Sequence, residues 1–142
     1  MRVCGVELKA NDANICLLSL SDELFDIPDC RARRVSLESG SSRQHLQDFQ
    51  RSFKQLMLDY KVDKVVIRER HMKGKFAGGA IGFKLEATIQ LIEGLEVELI
   101  SAAKIKESLK RNPLSVPFVD TGLKVFQETA FTTAFAYLGQ SL

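Results

Sequence analysis

Two glutamates stand where largely apolar segments end, and their type and position suit metal chemistry. Glu7 follows residues 3–6, and Glu69 follows residues 65–67 and one arginine. A carboxylate at the end of a buried strand needs a metal or a cationic partner, because an unpaired buried charge is costly. Convergent carboxylates are the ligands that Mg²⁺ or Mn²⁺ prefers. Two such ions can activate water and stabilise the leaving oxygen of a phosphodiester.

Strand geometry predicts that the two carboxylates meet. Alternate residues of a strand share a face, so Glu7 lies with Gly5, and Glu69 lies with Ile67. If the two strands are neighbours in the sheet, both carboxylates point to one place. Glu69 lies between two arginines and Glu7 lies near Lys9, so ordinary surface ion pairs explain either residue alone equally well.

The third carboxylate of such a site is open between two residues. Asp120 is predicted in the first turn of the last helix, where it serves either as a metal ligand or only as an N-cap. Glu128 lies two turns further along and suits a solvated helix surface. The predicted catalytic and metal-binding set is therefore Glu7, Glu69 and Asp120, with Glu128 as the alternative for the third position.

A basic segment at residues 70–75 follows the second glutamate and runs into a predicted helix N-terminus. Free amides and the helix dipole can receive phosphate there, although small residues at 77–80 serve close packing equally well. His71 is a candidate base or phosphate donor, but a lone loop histidine often has neither role. The predicted phosphate contacts are Arg70, Lys73, Lys75 and Lys104.

Composition predicts one cytoplasmic domain spanning residues 1–142. The chain has 142 residues, of which 45% are hydrophobic, and a formal net charge of +2. No apolar run reaches the roughly 18 to 20 residues of a membrane span, and the N-terminus enters a strand pattern at once. The three cysteines have no CxxC spacing, which argues against a disulfide framework or a zinc site. Cys4 and Cys16 suit small core positions.

The periodicity of apolar residues predicts the order βββ-α-β-α-β-α-α. Residues 3–8 and 15–20 form a hairpin, and residues 33–37 a third strand. Helices follow at 46–60, at 76–92, after Ser101 and from Asp120, with strands at 62–69 and 95–100 between the first three. Short turns join antiparallel neighbours and helical crossovers join parallel ones. The expected fold is α/β and ribonuclease-H-like: a mixed five-stranded sheet, three antiparallel strands then two parallel, with helices on both faces.

The same segments resemble RuvC-type Holliday-junction resolvases. The segment ending at Glu7 resembles their first-strand Gly-x-Asp, and the segment ending at Glu69 resembles the strand with their second acid. Residues 72–92 resemble their Gly/Ala/Leu-rich helix, and residues 101–106 resemble their Ala-Ala-rich segment. The complete chain also resembles a bacterial family of unknown function in the ribonuclease-H-like superfamily.

The resemblance implies a Mg- or Mn-dependent nuclease-like protein that acts on structured nucleic acid, with a homodimer as an expected assembly. Two departures favour an alternative. The resolvases have Asp-Pro-Gly where this chain has Glu7 followed by Leu8, and no second acid closely follows Asp120. The alternative is a catalytically inactive module that binds nucleic acid or another protein.

Overall fold

A computed structural model describes residues 1–38, 42–71 and 79–142 of the chain. The strands are β1 (Arg2–Lys9), β2 (Asp12–Ser21), β3 (Leu24–Asp26), β4 (Arg34–Ser36), β5 (Lys64–Arg68) and β6 (Val97–Ile100). The helices are α1 (Arg43–Asp59), α2 (Ala80–Gln90), α3 (Ala102–Arg111) and α4 (Glu128–Gly139). Two short 3₁₀ turns, Phe118–Thr121 and Val125–Gln127, precede α4.

The described residues form a mixed sheet in the order β3-β2-β1-β5-β6, with β4 also paired to β2. The hairpin of β1 and β2 is antiparallel, whereas β1–β5 and β5–β6 are parallel. These pairings follow from the connections, since a tight turn reverses the chain and a helical crossover restores its direction. The predicted mixed sheet, in which an antiparallel hairpin is followed by parallel strands, is confirmed.

The sheet has six strands where the sequence predicted five. The predicted third strand is present as β4, but β3 lies in the acidic segment interpreted as a loop. Both pair with β2, β3 near Leu20 and β4 near Ala13, so they follow one another along the outer edge of β2. Each has only three residues, which is too short for a readable alternation of polar and apolar positions.

Two hydrophobic cores lie on opposite faces of the sheet. The first is formed by α1 and α2 against alternate strand residues such as Val6 and Ile67. The second is formed by α3 and α4 against the intervening residues, including Val3 and Val66. Helices therefore cover both faces, as expected. No helix of the described residues has the length and apolar character of a membrane span.

The last helix begins later than predicted. Asp120 lies in the first 3₁₀ turn, and α4 starts at Glu128. Between them, Gly122 adopts φ 78°, in the left-handed region that ends a right-handed turn. The apolar spacing continues through this break, so the sequence pattern alone did not reveal it. The predicted cap of α3 is confirmed, because the Ser101 hydroxyl accepts a hydrogen bond from the Lys104 amide at 3.1 Å.

Gly5 allows α4 to lie directly on β1. A Cβ at this position would meet the carbonyl oxygen of Ala130 and lie 2.9 Å from the Cβ of Ala134. Neither atom can move without shifting the helix, because one is backbone and the other is fixed to it. The close approach places the first turns of α4 directly over Gly5 of β1.

We expect Gly5→Ala to lower the free energy of unfolding by about 2–3 kcal/mol, because the added methyl overpacks the contact with α4. Urea denaturation monitored by circular dichroism measures this change. Gly79→Ala is the control, since a Cβ there has open space. A loss at Gly5 no larger than at Gly79 would contradict the close contact.

Two of the three cysteines are core residues, as predicted. Cys4 is fully buried and Cys16 is 2% exposed. Burial raises the pKa of the Cys16 thiol to about 12, with a smaller contribution from Cys30. Burial also raises the pKa of Cys4 well above its ordinary value. Both thiols therefore stay protonated and inaccessible at neutral pH, whereas Cys30 is only partly buried.

A thiol reagent applied near the ordinary pKa of a free thiol, about 8.5, should label the native protein at Cys30 only. Labelling of Cys4 and Cys16 should require unfolding, because only the exposed thiolate reacts. Mass spectrometry of the labelled protein measures this selectivity. Native Cys30→Ser protein should take up no label, and rapid labelling of that variant would show that the core opens.

Candidate functional site

A row of polar residues crosses four strands at the sheet edge where β1 and β5 end. Glu7 pairs with Asn14 in the β1–β2 register, and Asn14 pairs with Arg34 in the β2–β4 register. The β1–β5 register runs to Val6 opposite Ile67, so the next residues along, Glu7 and Arg68, are also neighbours. We call this set the polar row: Arg68, Glu7, Asn14 and Arg34.

The polar row lies on the face covered by α4. Glu7 has the parity of Gly5, which touches α4, and Arg68 has the parity of Val66, which packs in the α4 core. Paired residues of adjacent strands lie on the same face, so Asn14 and Arg34 belong to this side as well. The row thus brings two guanidinium groups, one carboxylate and one amide to a single edge.

Glu69 lies on the other face. Its neighbour two residues back, Ile67, packs in the core of α1 and α2. The Glu69 amide still donates to the Ile100 carbonyl at 2.8 Å, so the alternation of β5 continues through Glu69. Continued strand parity therefore does not place Glu7 and Glu69 on one face. The register neighbour of Glu7, one step beyond the pair Val6 and Ile67, is Arg68.

The charge of Glu69 acts on α2. Burial raises the pKa of the Glu86 carboxyl, Arg70 opposes that rise, and Glu69 adds to it. This coupling is consistent with Glu69 facing α2, to which Glu86 belongs. Glu69 itself is exposed.

Arg70 packs inside the structure. Its Nη1 donates to the Leu8 carbonyl, and its Cζ lies 5.7 Å from the centre of the Phe83 ring. Gly82 makes room for it, since a Cβ there would lie 2.6 Å from Arg70 Cζ. The guanidinium thus links the end of β1 to α2.

The other predicted phosphate contacts have different surroundings. Lys104 is exposed in the first turn of α3, directly after the end of β6. Lys73 and Lys75 lie outside the described residues. Lys104 therefore stands at the same edge of the sheet as the end of β5.

The two candidates for a third carboxylate are both exposed. Asp120 lies in a 3₁₀ turn that ends at Thr121, seven residues before Glu128. Glu128 lies in the first turn of α4, the position predicted for Asp120. Glu128 is thus the acid at the start of the last helix.

Glu7 is held by a buried amide. The Asn14 side chain is 3% exposed, and its Nδ2 donates to Glu7 Oε1 at 3.4 Å. Asn14 Oδ1 has no hydrogen-bond donor among the described residues. Nearby, buried Gln127 donates its Nε2 to the Ile15 carbonyl at 2.9 Å. That bond ties the start of α4, with the positive end of its dipole, to the strand beside Glu7.

The two arginines of the polar row differ in their partners. The Arg34 guanidinium stacks on Phe126, with Cζ 3.8 Å from the ring centre, and lies 3.8 Å from Asp12 Oδ2. Arg68 is half-buried, and its side chain makes no hydrogen bond or ion pair with any described residue. One arginine is therefore committed within the fold, and the other is available.

This donor set does not fit a divalent metal ion. No three His, Cys, Asp or Glu residues in the described ranges are grouped so as to hold one. The polar row itself offers one carboxylate beside a guanidinium that never loses its proton. Arg68 was missed because Val65, Val66 and Ile67 are all buried, and such an apolar run does not indicate which alternate residues face the side of Glu7.

Solved structures share this architecture. Thermus thermophilus RuvC aligns with a TM-score of 0.75 and 9% identity, covering 99% of this chain and 95% of that chain. T. thermophilus RuvC in complex with a Holliday junction substrate gives 0.72 and 9%, covering 99% and 94%. The yeast mitochondrial Holliday junction resolvase Ydc2 gives 0.56 and 8%, covering 96% and 75%. At such low identity the likeness concerns the fold alone.

No curated protein matches the chain by sequence. Residues 1–137 match the family described as "Protein of unknown function (DUF3010)". The chain therefore belongs to the DUF3010 family, and it has the RuvC-like, ribonuclease-H-like fold.

Proposed function

We propose that this protein is a nucleic-acid-binding module that does not cleave its ligand through carboxylate-bound metal. The observation that carries the proposal is the register of Arg68 beside Glu7 on the face of α4. Two-metal cleavage needs acids that converge on the ions. Here the group next to the first acid is a permanent cation, which repels a metal ion instead of binding it.

Basic side chains at the end of the sheet that holds Glu7 support nucleic acid as the ligand. Lys9 ends β1, Arg68 ends β5, and Lys104 follows the end of β6. The carboxyl ends of parallel strands lie at one edge of a sheet, so these side chains form one cationic border. Phosphates are the natural ligand of such a border, because arginine and lysine neutralise them without reading sequence. RuvC, which shares the fold, has been solved with a Holliday junction substrate.

Metal-dependent cleavage of structured nucleic acid is the second candidate. It is favoured by the fold and by the place of Glu7 at the end of the first strand. In that case Mg²⁺ or Mn²⁺ would be held by Glu7, Glu69 and Asp120 or Glu128. The two glutamates would have to reach around the end of the sheet, because their strand positions face opposite ways.

A homodimer and a cytoplasmic location stay predictions from the sequence. The phenylalanines of α4 are core residues, since Phe131 is 3% and Phe135 is 5% exposed, so they offer no surface for a dimer interface. An interface would need other residues. Exposed apolar side chains before α4, Val119 and Val125, are candidates for that role.

We expect the protein to bind a four-way DNA junction or single-stranded DNA in EDTA, with affinity that falls steeply as salt rises. We also expect no cleavage with Mg²⁺ or Mn²⁺, because the acid pair is interrupted. Fluorescence anisotropy measures the binding, and denaturing gels of end-labelled DNA measure the cleavage. RNA versions of both substrates establish which nucleic acid is preferred.

The double variant Glu7→Gln/Glu69→Gln is the control for cleavage. Metal-dependent cleavage by the wild type that disappears in this variant would establish the nuclease instead. Cleavage equal in both proteins would point to a contaminant. No binding to any of these nucleic acids would overturn the proposal and favour a protein-interaction module.

A further inference from the structure

We infer that Arg68 binds a backbone phosphate directly, at the place where a resolvase-like site would hold a metal ion beside its first acid. This inference rests on the proposed function and names the group that contacts the ligand. Its basis is geometric: Arg68 is the register neighbour of Glu7, on the α4 face, at the last residue of a central parallel strand.

Arg68 is held at its base and free at its tip. The preceding residue on the same face, Val66, is completely buried, and the paired residue of β6, Ile100, is 3% exposed. The aliphatic part of Arg68 is thus packed beside the core, which limits the entropy lost when the guanidinium is engaged. The guanidinium has no partner among the described residues.

Neighbouring arginines do not offer the same group. Arg34 is stacked on Phe126 and paired with Asp12, and Arg70 donates to the Leu8 carbonyl. Engaging either with a phosphate would first break an existing contact. Arg68 requires no such exchange, so it is the arginine of this edge best prepared to receive an anion.

Glu7 is the register neighbour of Arg68, and no hydrogen bond or ion pair joins the two side chains. It lies one strand away from Arg68 and is held from the other side by the Asn14 amide. A phosphate can accept two hydrogen bonds from the planar guanidinium, and it would displace no existing contact of Arg68 with the described residues. The positive end of α4, tied to β2 by Gln127, adds favourable potential for the anion.

This arrangement makes phosphate binding independent of metal and of sequence. Arg68→Gln should weaken junction binding about tenfold in EDTA, as expected from the loss of a charge-assisted pair of hydrogen bonds. It should also lower the slope of log Kd against log salt by about one. Lys54→Gln is the control, because it removes the same charge from exposed α1 on the opposite face and should change Kd less than about twofold.

Two further substitutions test the geometry. Arg68→Lys keeps the charge but loses the planar fork, so it should recover only part of the affinity while restoring the salt slope. Arg68→Glu places a second acid beside Glu7, and it should bind Mn²⁺ in electron paramagnetic resonance titrations where the wild type does not. Glu7→Gln introduced into Arg68→Glu should abolish that metal binding.

The outcomes separate this inference from the proposed function. Absence of wild-type binding to nucleic acid overturns the proposed function. Wild-type binding that Arg68→Gln leaves unchanged, in affinity and in salt slope, overturns the role of Arg68 alone. Thermal unfolding of each variant checks the fold, and Arg68→Lys keeps the test decisive if Arg68→Gln does not fold. Wild-type binding that requires Mg²⁺ would also overturn the inference.

Discussion

The parallel pairing of β1 with β5 is the constraint on which the candidate site depends. A parallel ladder places register neighbours on the same face, so the alignment of Val6 with Ile67 decides which side chain lies beside Glu7. A shift of one residue would exchange Arg68 for Glu69 and replace a mixed charge pair with two acids. The shift would also turn Val65 and Ile67 out of the core formed with α1 and α2. The hydrophobic core and the chemistry of the edge are thus set by one alignment.

The contact between Gly5 and α4 carries that alignment to the rest of the edge. Because β1 has no side chain at this point, the backbone of α4 approaches the strand at Ala130. Gln127 then reaches the Ile15 carbonyl and fixes the start of the helix beside the polar row. A larger residue at position 5 would lift the helix, and the positive end of its dipole would move away from Glu7. The packing of Gly5 against α4 therefore determines how close the positive end of the helix dipole lies to Glu7.

The sequence predicted the fold well, but it did not reveal which residues are paired beside Glu7, for identifiable reasons. Strand order, sheet direction and the Ser101 cap follow from local patterns that the structure shares. The orientation of β5 does not follow from a local pattern. Val65, Val66 and Ile67 are all buried, so polar and apolar residues do not alternate along this strand. The start of α4 was also missed, since Gly122 interrupts a helix whose apolar spacing continues. The register of β1 with β5 could not be predicted, because it depends on pairing between segments that are distant in the sequence.

A resolvase-like fold with an arginine beside its first acid separates two properties of such sheets. The carboxyl ends of the parallel strands gather side chains at one edge whatever those side chains are, so the architecture supplies a place for a phosphate. Whether that phosphate is cleaved depends on a few charges placed there. A second acid beside Glu7 would attract a metal cation. Arg68 beside Glu7 supplies a positive charge of the protein itself instead, and a guanidinium cannot activate water. In the proposed function, this geometry holds a nucleic-acid backbone without the metal chemistry that would break it.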